Sequence, residues 1–209
     1  MKNRLCWLTT FACLAVPAAA DVLYENGPIN GQTDAWTINF GFLVSDTFTL
    51  TSNSTVNGVS FGAWLSPGDT LESVEVSFTE FEVGGTTYFD QVVNVTQSNC
   101  FANTYGFNVC TETGSFNGVD LAPGTYWMQL QDGVVDNGDP VYWDENSGIG
   151  CHSEGCPSLA SENSVGSIPQ EAFSILGTNG NGTVPEPGSL ILLASGVIAA
   201  SGILRRKLR

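Results

Sequence analysis

Every lysine and arginine of this 209-residue chain lies at one of its two ends. Lys2 and Arg4 stand at the front, and Arg205, Arg206, Lys207 and Arg209 at the back. Of the 21 acidic residues, only Glu186 falls outside the stretch from Asp21 to Thr183. This body is therefore more acidic than the whole chain, whose formal charge is −15, and its one candidate cation is His152. Nucleic acid and anionic lipid surfaces are strongly disfavoured as partners, because no side chain is present to meet a phosphate and release its counterions. For the same reason nothing can clamp a phosphorylated or acidic substrate. The carboxylates read first as a solvated coat that keeps an exported protein soluble. The sharper reading is that some of them bind Ca²⁺, which takes oxygen ligands and is plentiful outside cells.

Both basic ends flank apolar segments. At the front, Lys2 and Arg4 precede an apolar run from Leu5 to Val16, and Pro17 and Ala18-Ala19-Ala20 follow. This is the pattern of a secretory signal peptide, residues 1–20, with cleavage expected between Ala20 and Asp21. At the back, residues 188–204 carry no charge. As a helix they would span roughly 26 Å at about 1.5 Å per residue, against a bilayer core of about 30 Å. Pro185 and Pro187 stop such a helix upstream. The terminal Arg205, Arg206, Lys207 and Arg209 form a cytoplasmic basic anchor whose long side chains reach the headgroups. A single C-terminal transmembrane helix is the expectation.

The last 26 residues, 184–209, join Val184-Pro185-Glu186-Pro187-Gly188 to this apolar segment and basic cluster. In that order, at the extreme C-terminus, the three parts resemble the PEP-CTERM sorting signal of bacteria that make exopolysaccharide. The tail is also labelled an ice-binding protein C-terminal region, a name that describes the tail family and says nothing of ice. The resemblance implies that an exosortase recognises Val184, Pro185, Glu186 and Pro187 and that the helix is a temporary anchor. It implies an inner-membrane-anchored precursor, then a product in the periplasm, at the cell surface or in the extracellular matrix.

The body shows period-2 patterning, many Thr, Val, Phe, Tyr and Trp residues, and no convincing helical stripe. Strands are expected over Trp36–Leu43, Asp46–Thr51, Gly58–Leu65, Leu71–Glu82, Thr86–Val95, Phe107–Thr113, Gly124–Gln131 and Pro140–Asp144, with a last short one over Ala172–Leu176. Turns are marked by Ser66-Pro67-Gly68-Asp69, Gly84-Gly85, Ala122-Pro123-Gly124 and Asp136-Asn137-Gly138-Asp139. Short strands at this spacing predict an all-β, antiparallel β-sandwich of jelly-roll type over residues 21–176. A Gly/Asn/Thr linker, 177–183, follows it. The run from Leu121 to Leu130, with the later Trp143-Asp144, is similar to other PEP-CTERM exported β-sandwich proteins, and this likeness supports the fold only.

Four cysteines remain after the signal: Cys100, Cys110, Cys151 and Cys156. An even count in an exported domain reads as two disulfides, of three pairings. The local pairs Cys100–Cys110 and Cys151–Cys156 are favoured over a zinc site at Cys151, His152, Glu154 and Cys156, since the compartment is oxidising. No Gly-x-Ser-x-Gly elbow is present, and the chain is read as non-enzymatic. Its role is then structural, or one of interaction within exopolysaccharide. The alternative is a carbohydrate-binding module of β-sandwich type, stabilised by Ca²⁺. Trp127, Tyr142 and Trp143 are its candidate sugar-stacking residues, with Trp36 and Trp64 behind them; the plainer reading of each ring is a core aromatic. The candidate Ca²⁺ ligands are Asp132, Asp136, Asn137 and Asp139, with Asp144 and Glu145 nearby. A polar hairpin loop is the plainer reading of that stretch, which lacks EF-hand spacing.

Overall fold

A computed structural model describes residues 20–146 and 160–180. The expected signal peptide, sorting motif, transmembrane helix and Cys151–Cys156 pair lie outside these residues. Among the described residues no helix is long and apolar enough to cross a membrane.

The described chain forms twelve strands and no helix. They are β1 (Asp21–Glu25), β2 (Ala35–Thr37), β3 (Leu43–Leu50), β4 (Ser54–Leu65), β5 (Leu71–Thr79) and β6 (Thr87–Ala102). After these come β7 (Asn108–Leu121), β8 (Gly124–Val135), β9 (Tyr142–Asp144), β10 (Ala160–Glu162), β11 (Gly166–Ile168) and β12 (Phe173–Asn179). They join in one 12-stranded sheet of order β1-β12-β4-β7-β6-β5-β8-β3-β10-β11, with β9 paired to β4 and β2 to β9. Every pairing is antiparallel. The all-β antiparallel expectation holds.

The long strand β6 sets the shape. Its first half, to Asn94, pairs with β5, and its second half, from Val95, pairs with β7. The sheet curls there and its two arms close on one core. Phe89 meets Phe116 of β7 at 4.2 Å between ring centres, and Tyr24 of β1 meets Phe48 of β3 at 6.1 Å. Core positions follow the two-residue period of a half-buried strand. In β8, Tyr126, Met128 and Leu130 are buried while Thr125, Trp127 and Gln129 are not.

Turn chemistry falls where its residues stand. In Ser66-Pro67-Gly68-Asp69 the Asp69 N–H donates to the Ser66 carbonyl, with Gly68 at φ 101°. That is a type II turn, whose third position needs a positive φ. The expected strand Trp36–Leu43 is broken instead. Phe40 and Gly41 take φ of 58° and 87°, and the Phe42 N–H donates back to the Asn39 carbonyl. This turn ends β2 at Thr37 and restarts the sheet at Leu43. Strands β1, β10 and β11 were not expected; each is short and lies toward an end of the sheet order.

Candidate functional site

The most unusual chemistry lies inside the molecule, at one end of its core. Residues on one face of a strand recur every second position. In β3, Val44, Asp46 and Phe48 are all fully buried, so Asp46 occupies a core position. Trp143 of β9 packs against Phe61 and Phe173 in the core. Glu145, two residues further on, shares its face and is also buried. Glu171 forms an antiparallel bridge with Glu145 and is fully buried. Bridge partners project to the same side. Three carboxylates, Asp46, Glu145 and Glu171, therefore enter the same interior.

Asn26, which follows β1, ties this end together. Its side-chain NH₂ donates to Asp46 Oδ2 and to the Glu171 carbonyl, each at 2.8 Å, and its Oδ1 accepts from the Tyr24 hydroxyl at 2.9 Å. The Glu171 N–H donates to Asp46 Oδ2 at 2.8 Å. Asn146 Nδ2 donates to the Asn26 and Glu171 carbonyls. Trp36 Nε1–H donates to Glu145 Oε1 at 2.8 Å. Both carboxylate oxygens of Glu171, and Asn146 Oδ1, are buried without a hydrogen-bond partner. Burial pushes the Glu171 carboxyl well above the ordinary range, and the charges of Asp46, Glu145, Asp144 and Asp34 add to the shift. Glu145 is raised by burial too, against the opposing Trp36 hydrogen bond.

Asp144 points the other way. It is fully buried under the loop that precedes β2. The Asn30 N–H reaches its Oδ2 at 2.8 Å, the Gly31 N–H its Oδ1 at 3.0 Å, and Trp64 Nε1–H its Oδ1 at 2.5 Å. Burial raises its pKa, and those donors pull it back. Beside it, the Trp64 ring stacks on Tyr105 at 5.5 Å and 20° between planes. Tyr142 meets Phe107 edge-on at 5.5 Å.

The acidic turn proposed for Ca²⁺ is occupied by its own hydrogen bonds. Asp136 Oδ1 accepts from the Thr70 N–H, Asn137 Nδ2 donates to Asp69 Oδ1 at 2.6 Å, and Asn137 Oδ1 accepts from the Asp139 N–H. Asp132 is exposed in β8 with a φ of 49°. Among the described residues no three Asp, Glu, His or Cys side chains converge closely enough to hold a metal ion. Of the sugar-stacking candidates, Trp143 is corrected to a core residue. It is fully buried and its Nε1–H donates to the Ala172 carbonyl. Trp127 and Tyr142 are half-buried. Cys100 and Cys110 form a disulfide across the β6–β7 hairpin. The sorting residues Val184, Pro185, Glu186 and Pro187, the basic anchor, and Cys151 and Cys156 lie outside the described residues.

Residues 183–207 match the PEP-CTERM protein-sorting motif. The PEP-CTERM motif implies exosortase-dependent sorting of an exported protein whose precursor is anchored in the membrane. No curated protein matches the chain.

The match covers only the tail, so the domain ahead of the PEP-CTERM motif must be read from its own chemistry. Reading the sequence placed Asp144 and Glu145 beside a candidate ion site but passed over Asp46, Glu171 and Asn26. A signal was present. Asp46 falls in the alternation Val44-x-Asp46-x-Phe48, and Glu171 keeps step with Phe173 and Ile175. A carboxylate in phase with a buried apolar row is a buried carboxylate.

Proposed function

We propose that this protein is a non-enzymatic structural or interaction domain of the cell envelope or exopolysaccharide matrix, anchored by its C-terminal helix and then released by an exosortase. On this reading the curled sheet is a jelly-roll-like β-sandwich that stands off the membrane on a linker shorter than the expected 177–183, because β12 takes Gly177, Thr178 and Asn179 into its ladder with β4. The observation that carries the reading is the PEP-CTERM motif at 183–207, placed directly behind a domain with no Lys or Arg. The burial of Glu171 and Asp46 supports it, because both carboxylates are held inside the core and turned away from solvent.

A carbohydrate-binding module is the second reading. Tyr105 and Phe101, 57% and 42% exposed, favour it. Against it, the parallel rings of Trp64 and Tyr105 stack on each other and do not form an open platform.

Fractionation of the native host with intact-mass measurement tests the first reading. The expected product begins at Asp21, ends near Pro185–Pro187 and sits in the matrix. Replacing Pro185, Glu186 and Pro187 with alanine should leave the uncut chain in the membrane fraction. A native protein that keeps residues 188–209 would overturn release. Retention on a host-polysaccharide column that is lost in Tyr105→Ala would favour the second reading.

A further inference from the structure

Among the described residues the inner carboxylate cluster faces no cationic side chain, so a proton or a bound cation has to neutralise it. Glu145 and Glu171 face each other across a bridge. Like charges directly opposite on a sheet are destabilising, and a buried charge needs a partner. Between Arg4 and Arg205 the sequence holds no lysine or arginine. Asp46 brings a third carboxylate into the same interior, but its oxygens are committed: Oδ1 accepts from the Thr47 N–H at 2.7 Å, and Oδ2 holds the Asn26 amide and the Glu171 N–H.

What is left over is a set of oxygen acceptors. Glu171 Oε1 and Oε2 are fully buried and unpartnered. So is Oδ1 of Asn146, whose amide NH₂ already donates to the Glu171 carbonyl. Glu145 spends Oε1 on Trp36. Hard oxygen donors of carboxylate and amide type, with no sulfur or imidazole among them, suit calcium. Calcium also accepts the irregular geometry that a strand bridge imposes, where magnesium demands a near-ideal octahedron.

We propose that Glu145 and Glu171, with Asn146 Oδ1, bind a calcium ion that closes this end of the core. As the side chains stand, three carboxylates do not converge. The site is thus a two-carboxylate one: Asp46 supplies field without ligation, and water completes the shell. Binding in the range of extracellular calcium modules, about 10⁻⁴–10⁻³ M, suits a site of this charge. This site is separate from the Asp132–Asp139 turn and does not depend on how the tail is processed.

The indole of Trp36, hydrogen-bonded to Glu145, makes the test optical. Full-length protein in detergent is titrated with Tb³⁺ under tryptophan excitation. The expected result is sensitised Tb³⁺ emission that saturates at one ion per chain and is displaced by Ca²⁺. Emission should be lost in Glu171→Gln and in Glu145→Gln, and retained when Asp136 and Asp139 are both changed to Asn. Ca²⁺ at about 100 times its Kd should raise the Tm of the unaltered protein by about 5–10 °C, and that of Glu171→Gln by none. Absence of sensitised emission, emission that survives both Gln variants, or a Tm indifferent to Ca²⁺ would each overturn the proposal. Should Glu171→Gln fail to fold, Glu145→Gln decides.

Discussion

Asn26 and Asp46, 20 residues apart in sequence, are joined by a 2.8 Å hydrogen bond that ties the start of one arm of the sheet to the interior of the other. The same amide group holds the Glu171 carbonyl, so one side chain organises three segments. Asn26→Ala removes both donated bonds and one of the two acceptors of the Tyr24 hydroxyl, which keeps the Thr47 carbonyl at 3.1 Å. Each partner keeps a second bond, so the cost is the lost bonds themselves: about 0.5–1.5 kcal/mol for a neutral one and about 1.5–3 kcal/mol for one to a charged group. The variant should lose about 2–3 kcal/mol in urea denaturation with an unchanged m-value. A loss below about 0.5 kcal/mol would show that this junction is not a stabilising one.

Glu112 gives the domain an unusual pH profile. It sits in β7 opposite Phe61 and Gln97, fully buried, with neither carboxylate oxygen partnered. Desolvation alone raises its pKa from 4.5 to about 7. The folded state then binds more protons than the unfolded state between these two values. Stability from this group is fully present below pH 4.5, falls as pH rises toward 7, and is gone above it. The span is on the order of 3 kcal/mol. Glu112→Gln should flatten the profile between pH 5 and 7, and the difference between the two proteins, followed by thermal melts, isolates this residue. A difference that does not vary with pH would refute the account.

Much of the fold was legible because strand periodicity and turn chemistry are local. Tyr126, Met128 and Leu130 alternate with Thr125, Trp127 and Gln129 as the sequence required, and Pro67-Gly68 turns where its dihedral preferences dictate. The break at Phe40 was not legible, because a phenylalanine gives no sign that it will accept a left-handed backbone. The inner cluster was half legible. Each carboxylate sits in phase with core residues, but their meeting depends on pairing Glu145 with Glu171 and on the curl at β6, both long-range. Trp143 misled for a related reason: its burial depends on Phe61 and Phe173, which are distant in sequence.

The Cys100–Cys110 disulfide closes a loop of sequence separation 10 at the end of the β6–β7 hairpin. Cross-linking a loop of this size restricts the unfolded chain by roughly 2–3 kcal/mol. Cys110 is fully buried, so alanine is a better replacement than serine. Changing Cys100 and Cys110 together to alanine should lower stability by about that amount while leaving the far-ultraviolet circular dichroism of the sheet unchanged. Equal stability in the oxidised, unaltered protein and the double variant would show that the hairpin is held by its ladder alone.

Gly177 marks where β12 is pressed between β1 and β4. A Cβ there would lie 2.2 Å from the Thr55 carbonyl oxygen, 2.7 Å from Leu23 Cδ1 and 3.0 Å from Val56 Cα. Two of these three atoms are backbone, in the strand that carries Phe61 and Trp64. A flexible side chain could swing aside, but the Thr55 carbonyl can move only if the β4–β12 register moves with it. Gly177 also follows the register irregularity after Leu176, which leaves little slack. Gly177→Ala should therefore destabilise by about 3 kcal/mol, the upper end of overpacking costs. Gly124→Ala is the matched control. Its Cβ would meet only the Tyr126 ring, at ordinary contact distances from 3.6 Å. That variant should stay within about 1 kcal/mol of the unaltered protein, since alanine loses less backbone freedom on folding than glycine. Similar midpoints for the two variants would mean that β12 is not tightly seated against β4.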